Sequence, residues 1–535
     1  MPTSPIIWSF VVSILLSGAL WFRNRSHKRS KLPPGPPGLP FIGNILDVPT
    51  IQPWKAYAKL AEEYDSPILS MRLPGTTLLI LNDMSTATDL LTKRAAKYSD
   101  RPQSSLSDEM GASRAFVFQR YGEHWKQRRK IFKHSFDNEA LSTRRIHTVN
   151  SVRRLLARLL ATEGRHHEKE LRLSANLHIE VLGVHMAVGE VVMLVTYGIQ
   201  PTGPDDAYNT ITGKVITTLT DILNRGLIVD AFPPLKYLPG WFPGTISKYQ
   251  VEKGAKLLDK AIRSPFEQAQ ARMVNGDAIV PSICSRYFSS LADRTDLEDQ
   301  QEVDDMANVL GTAYIGGMDT TLGVLEVFVI AMLLYPNVQI KAQTILDSAL
   351  HGRLPEYTDH GTVPYIDALL DEVVRWMPVA PMATPHALIE DDVYNGYVLP
   401  KGATCIANVW AILQDEEIFG ADTNKLIPER FLDADGCLLT EKEESVDVIF
   451  GFGRRSCPGK SMAREFLWIA IASILSAYEI CGGEDEEGRL LVGDRLESSR
   501  VEGLLMVPPH VRCKFKLRKE ISIDVTTMIH ESIKV

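Results

Sequence analysis

The sequence predicts a mainly α-helical protein with a minor β portion, folded as one large domain behind an N-terminal transmembrane helix. Three observations carry this. Most of the body has apolar residues at helical spacing, while short alternating stretches are few. No Ser/Gly linker, low-complexity tract or repeat divides the chain after about residue 50, so its 535 residues do not break into several domains. Pro5 to Phe22 carries no charge and is long enough to cross a bilayer.

Taken in order, the elements justify that class. No Lys or Arg precedes the apolar run, whereas Arg23, Arg25, Lys28, Arg29 and Lys31 follow it. Positive charge stays on the cytosolic side, so residues 1–22 read as a single-pass anchor with the body in the cytosol. The alternative is a cleaved signal peptide with Ser17-Gly18-Ala19 as a weak site, but a signal carries its charge before the apolar run. Residues 23–40, basic and then "LPPGPPGLP", read as a semi-rigid stalk, because alternating Pro and Gly cannot continue a helix. Residues 41–535 form the body.

Residues 54–64 and 85–98 read as amphipathic helices, with a short strand near Leu79 between them. A basic helix covers 119–136. Further helices cover 141–163 and 245–275, and the prolines of 232–243 mark a loop. The longest helix spans 301–335, about 50 Å at ~1.5 Å per residue. Asp304 and Asp305 suit its N-terminal dipole and Pro336 stops it. Asp305, Asp319 and Glu326 exclude it as a second membrane span. "DALLDEVVRW" reads as a helix, and residues 393–411 as short strands with Asn395-Gly396 as a hairpin turn. A helix from Lys460 to Tyr478 and alternating strands in 504–517 close the chain.

Composition excludes some functions. Hydrophobic residues make up 45% and charged residues 23%, ordinary for a folded protein, and a net charge of -8 argues against bulk nucleic-acid binding. The six cysteines (Cys284, Cys405, Cys437, Cys457, Cys481, Cys513) contain no CxxC pair, so neither a disulfide framework nor a zinc site is indicated. Five read as ordinary structural cysteines. Cys457 differs. It lies in "FGFGRRSCPG", just before a helix N-terminus whose free N–H groups favour a thiolate. Gly453 and Gly459 leave room for a large flat group near the backbone, Phe450 can pack beside the sulfur, and Arg455 can meet a carboxylate. A thiolate with one cation beside it suits a haem iron whose macrocycle carries propionates.

With Phe450, Gly453, Arg455, Cys457 and Gly459 in this pattern, the chain resembles the cytochrome P450 family of haem-thiolate monooxygenases. The resemblance implies that family's fold, heme b (iron protoporphyrin IX) as cofactor, and Cys457 as axial iron ligand. Other motifs follow in the family's order. "GGMDTT", Gly316 to Thr321, lies mid-way along the longest helix, where two glycines make a local opening plausible. The resemblance makes Asp319 and Thr320 the acid–alcohol pair that relays protons to the reacting oxygen; the plain reading of Thr320 is a hydroxyl satisfied within its helix. Glu372 and Arg375 match an E-x-x-R pair, which with Arg430 of "PERF" implies a buried structural charge network. Trp125 and Arg129, four apart on one helical face, are implied to meet a haem propionate, as is His386.

The implied reaction inserts one oxygen atom from dioxygen into an organic substrate. No flavin or dinucleotide fingerprint is present, so a separate membrane-bound NADPH–cytochrome P450 reductase is implied, with the protein at the endoplasmic reticulum membrane. Two other classes compete. One is a haem-thiolate isomerase or dehydratase, whose members tend to lose the acid–alcohol pair that is intact here. The other is a non-enzymatic membrane haem protein, which leaves the proton-relay helix unexplained. Residues 101–118, Val309, Thr312, Ala313, Val379 to Met382 and the tip near Leu504 are the expected pocket walls. Their small or apolar character points to a lipophilic small molecule, and the chain looks most like fungal members of secondary metabolism or xenobiotic oxidation. Lys126, Arg128, Lys130, Lys133, Lys460 and Arg464 form an expected basic docking patch for the reductase.

Overall fold

The computed structural model describes residues 32–535, apart from 137–140, 163–178, 204–205, 232–247, 278–279, 293–299, 485–499, 503–504, 508–511 and 519–535. The apolar run of 5–22, the basic residues after it, the 232–243 loop and the Leu504 tip lie outside the described residues.

Residues 33–38 run along the edge of a sheet. Ser70 donates from its N–H to the Pro34 carbonyl (2.8 Å) and from its hydroxyl to the Pro33 carbonyl (2.5 Å). Gly35 is required by that approach, since a Cβ there would lie 2.1 Å from the Ser70 carbonyl oxygen. Helix α1 (Pro53–Glu63) leads into strands β1 (Ile68–Leu73) and β2 (Thr76–Leu81), which pair antiparallel with Ile68 opposite Leu81. The expected helix 85–98 is instead three short pieces. A helical turn at Met84–Ala87 widens into a π-helical stretch at Thr88–Lys93 and resumes at Ala95–Tyr98. Arg94, at φ -100° and ψ 23°, breaks the ladder.

Helix α2 (Glu123–Phe136) starts four residues later than expected, because residues 119–122 form irregular, bent backbone before it. It is followed by α3 (Leu141–Thr162), α4 (Ile179–Tyr197), α5 (Ala207–Ala231), α6 (Lys248–Val274) and α7 (Ile283–Ala292). Helix α8 (Gln300–Leu334) matches the long helix expected for 301–335. It runs through the core. Gly311 packs on Ile262 of α6, Gly317 on Val192 of α4, and the Tyr314 hydroxyl donates to the Tyr208 carbonyl of α5. Asp305, in the first turns of α8, meets more than the helix dipole. It is fully buried and accepts from Arg128 Nε at 2.8 Å and Gln301 Nε2 at 3.2 Å, with His124 Nε2 at 3.0 Å.

Pro336 ends α8 and opens α9 (Pro336–Leu350) at its first position, where the missing N–H costs nothing. Helix α10 (Pro364–Trp376) carries "DALLDEVVRW". Then come β3 (His386–Ala387), β4 (Asp392–Tyr394), β5 (Tyr397–Leu399) and β6 (Thr404–Ala407). Asn395 and Gly396 join β4 to β5 with positive φ (49° and 79°), as a tight hairpin needs. The sheet order is β1-β2-β6-β3, with β6 parallel to β2. The strand expected to extend through residue 411 stops at Ala407. Asn408 instead caps a short helix, Val409–Leu413, by accepting from the Ala411 N–H. Helix α11 (Lys460–Ala477) leads into β7 (Tyr478–Glu484); β8 (Arg500–Glu502), β9 (Leu505–Val507) and β10 (Arg512–Leu517) complete the chain. The class is mainly helical with minor sheet, as expected.

Behind this frame lies a buried charge network. Arg375 donates from Nε and Nη2 to both Glu372 carboxylate oxygens (2.6 and 2.9 Å), and Arg430 Nε reaches the same carboxylate at 3.0 Å. The remaining donors of Arg375 go to the carbonyls of Leu413, Thr423 and Lys425. Those of Arg430 go to the carbonyls of Phe419, Ala421 and Asp422. The network thus fastens α10 to the whole 413–430 meander that precedes the cysteine loop.

Candidate active site

The loop from Phe450 to Gly459 is held by its own backbone. The Cys457 N–H donates to the Phe450 carbonyl at 2.6 Å, and residues Gly453–Arg455 form one tight turn. Cys457 is surrounded by protein on nearly all sides yet keeps accessible surface, so its sulfur lies on the wall of internal space. Burial pushes its thiol up, although the Gly459 N–H and Arg129 pull the other way. The expected bias toward thiolate is therefore not met by the protein alone. Desolvation outweighs one N–H and one guanidinium, and a cation at the sulfur must supply the rest.

Two glycine readings change. Gly453 (φ 51°) is needed because a Cβ would lie 2.4 Å from the Leu91 carbonyl oxygen, so the group approaching it is the protein's own π-helical stretch. Gly459 has room, with Sγ of Cys457 at 3.8 Å from a built Cβ, and its contribution is the N–H it offers the sulfur. Phe450 is half-buried and is tied to Cys457 through its carbonyl.

Beside the sulfur the charges are unbalanced. Arg455 donates to the carbonyls of Ser99 and Gln119, both at 2.7 Å, and stacks over Trp125 at 4.5 Å; burial lowers it to about 10. Arg129 is enclosed and half-buried, and desolvation lowers its pKa. Among the described residues neither Arg129 nor the Trp125 indole N–H has a hydrogen-bond acceptor. Sequence reasoning did not single out Arg101, yet it is buried against the same group. It donates to the carbonyls of Val117 (2.9 Å), Thr384 (2.9 Å) and Pro385 (2.7 Å), and burial with Arg455 nearby holds its pKa down.

His386 lies next to them. Its Nδ1 is 2.7 Å from the Tyr98 carbonyl, which can only accept, so Nδ1 carries the proton. Burial, then Arg101 and Arg455, lower the ring to about 3, which leaves Nε2 without a proton. His386 can therefore donate to a carboxylate only after an anion beside it raises its pKa. Among the described residues, Arg101, Arg129 and Arg455 face one nearby carboxylate, Asp100, already bound by the Tyr121 N–H and Arg120. Buried cations without anions are costly. A dianionic group placed over Cys457 removes that cost, and a haem with two propionates fits this donor set.

The middle of α8 forms another wall. Gly316 is exposed within a stretch that is otherwise buried or half-buried, and a Cβ there would meet nothing within 4 Å. The helix is unbroken here. Thr320 donates to the Gly316 carbonyl at 2.7 Å, the within-helix bond, so the local opening suggested by the two glycines is not present. Asp319 points toward α5, 3.6 Å from a Cβ built on Gly213, with Oδ2 unpartnered among the described residues. Burial raises it to about 6, opposed by a hydrogen bond with Thr212. Of the expected pocket walls, Thr312, Ala313 and Met382 are half-buried, but Val309 is fully enclosed in the core.

The expected docking patch is smaller than the sequence indicated. Arg128 is buried on Asp305, Lys460 pairs with Asp447, and Arg464 is bound to Asp371 at 2.6 Å. Lys126 pairs with Glu123, and Lys130 and Lys133 remain exposed.

Residues 33–490 match the family described as Cytochrome P450. A cytochrome P450 monooxygenase, eriA, of Hericium erinaceus is 40% identical over 92% of this chain and 90% of the relative. A second, claR of Ampulloclitocybe clavipes, is 36% identical over 94% and 89%. The tryptamine 4-monooxygenase of Psilocybe cyanescens is 34% identical over 95% and 98%.

Proposed function

Since this chain belongs to the cytochrome P450 family, we propose that Cys457 would hold the haem iron and that Arg101, Arg129, Arg455, Trp125 and His386 would hold the propionates. The protein is a haem-thiolate monooxygenase of fungal secondary-metabolism type, with haem b as cofactor and electrons from NADPH through a reductase. The observation that carries the site assignment is the set of buried guanidinium groups beside Cys457 with, among the described residues, a single, already engaged carboxylate.

The haem, when bound, supplies dioxygen activation, and a thiolate ligand favours O–O cleavage. The residues of this chain do the rest. Cys457 would hold the haem as a thiolate, its proton lost to solvent, with the Gly459 N–H and Arg129 stabilising the sulfur charge. Asp319, at about 6, holds a proton for part of the time near neutral pH and can pass it along the α8 wall. Thr320, now bonded to Gly316, can swing its hydroxyl toward the cavity. The enclosing helices exclude bulk water and orient a lipophilic substrate.

In a Thr320→Ala or Asp319→Asn protein, haem content should be normal while NADPH consumption continues and the product yield per NADPH falls about ten-fold. Hydrogen peroxide should account for the difference. Unchanged coupling in both variants would remove the relay role.

The reading extends to membrane and partner. Residues 5–22 anchor the protein in the endoplasmic reticulum membrane with the body cytosolic, as the charge after the run supports. Residues 23–40 then serve as stalk, with its proline part docked on β1. Deleting residues 1–31 leaves that docking intact and should move the protein from membrane pellet to supernatant with haem retained. A deletion protein that stays in the pellet as a folded haem protein would contradict the anchor.

The electron donor is an NADPH–cytochrome P450 reductase docking near α2. Lys130 and Lys133, unpaired among the described residues, are its contacts. Changing both to Glu should slow reductase-driven turnover several-fold and weaken its salt dependence. Turnover driven by added peroxide should hold. Equal losses in both assays would mean the helix itself was damaged.

The experiment that tests the function is reconstitution with a reductase and a panel of terpenoid, polyketide and aromatic compounds. Substrate-dependent NADPH use with oxygenated product is expected. Rearranged product without NADPH use would favour a haem-thiolate isomerase instead.

A further inference from the structure

Exposed apolar side chains scattered singly over a surface need no explanation. Directly after the stalk they are not scattered. Leu39, Phe41, Leu46 and Ile51 are exposed, the last three by 75%, 74% and 83%. Residues 38–46 carry no charge, and Asn44, their one residue with a polar side chain, is buried. The face this loop presents is therefore apolar throughout.

The loop is held rigidly in that pose. The Leu39 and Gly43 backbones pair in both directions, at 2.7 and 2.9 Å, which makes Phe41 the apex of a tight turn. Asn44 fastens the turn to the end of β1. Its N–H donates to the Arg72 carbonyl at 2.7 Å, and its Oδ1 accepts from the Arg72 N–H at 2.8 Å. Its Nδ2 donates to the Pro36 carbonyl of the stalk and to Asp47. Gly43 approaches so closely that a Cβ would lie 2.1 Å from the Arg72 carbonyl oxygen. Phe41 itself has φ 67°, a conformation that bulky residues avoid. Strain of this kind persists where the surroundings over-determine it and a function uses it. A glycine would relieve the backbone and a polar side chain would relieve the exposure, yet a phenyl ring stands at the apex.

The neighbouring chain indicates what covers this face. The apolar run ends at Phe22 and the docked stalk begins at Pro33, so residues 23–32 span at most about 35 Å even when fully extended. Leu46 follows Gly43, the partner of Leu39, by three residues, at most about 11 Å. The apolar side chains thus form one compact group within a short tether of the run. A protein partner would be met by a polar rim and hydrogen-bonding groups, which residues 38–46 do not offer; lipid requires neither.

We propose that the loop of residues 39–46 is a second membrane contact, with Leu39, Phe41 and Leu46 entering the headgroup–acyl boundary of the bilayer that holds residues 5–22. This rests on the anchor reading. Three apolar side chains bind a bilayer only weakly and reversibly, so the contact orients the body and does not hold it; removing residues 1–31 still frees the protein.

The test uses the full-length haem-loaded protein in phosphatidylcholine vesicles. Flotation of the unmodified protein with the vesicles comes first, so a failure of the anchor reading shows before any labelling. Photoreactive p-benzoylphenylalanine then replaces Phe41, Leu46 or Ile340 in turn, and lipid adducts are counted by mass spectrometry. Ile340 is the control, 58% exposed on α9, whose Gln339 and Gln343 are turned to the β7 carbonyls. Positions 41 and 46 should each give about five-fold or more lipid adduct than position 340. Equal labelling at all three would mean that the body tumbles on its tether and would overturn the proposal. So would floating protein with no lipid adduct at 41 and 46, or adducts there to a second copy of the chain.

Discussion

A Cys457→Ala protein should lose monooxygenation to background while keeping its fold. The sulfur lies on internal space rather than in the packed core, so its removal costs little packing. What it removes is the only sulfur in a loop built to present one. The Cys457 N–H is tied to the Phe450 carbonyl, the Gly459 N–H points at Sγ, and Arg129 stands nearby. Cys405 and Cys284 are fully buried in apolar surroundings that push their thiols up, and Cys513 is buried as well. Cys437 and Cys481 have accessible surface, but neither lies in the 450–459 loop. None can take over. The check is haem content and product formation with a reductase, alongside thermal unfolding of the haem-free protein. Product within about two-fold of wild type would place the metal ligand elsewhere.

Glu372→Ala should be the most damaging substitution outside the cavity. Glu372 is fully buried and accepts four hydrogen bonds, two from Arg375, one from Arg430 and one from the Ile427 N–H at 2.7 Å. Truncation leaves two buried guanidinium groups uncompensated, a loss of about 3–5 kcal/mol. Whole domains are stable by only about 5–15 kcal/mol, so a large share of the fold's margin disappears. The effect reaches the haem loop because both arginines also hold carbonyls between Leu413 and Lys425. Urea denaturation should show a sharply lowered midpoint, with haem lost early in the transition. Glu372→Gln, which keeps acceptors but not the charge, should fall between. A Glu372→Ala protein within about 1 kcal/mol of wild type would mean that the arginines find other partners.

Much of this was legible from local pattern. Helix α8 differs from its expected bounds by one residue at each end, because apolar spacing and Pro336 define it without help from the rest of the chain. The Asn395-Gly396 turn is equally local. The misses are tertiary. Gly453 is a glycine because Leu91, over 350 residues away, passes close to it. Arg128 looked like part of a surface patch, but it lies three residues after Trp125 and so shares the buried face with Asp305 as its partner. Arg101 carried no periodic signal, since the carbonyls that hold it come from residues 117, 384 and 385. Its only local hint was a lone arginine beside Asp100 ahead of a proline.

The central claim is that the Cys457 sulfur binds a haem iron. The reduced carbon monoxide difference spectrum of the full-length protein tests this most directly. Thiolate ligation should give a strongly red-shifted Soret band, present in wild type and absent in Cys457→Ala. A haem-loaded wild-type protein showing only the shorter-wavelength band of a histidine-ligated haem, or a Cys457→Ala protein retaining the red-shifted band, would contradict it.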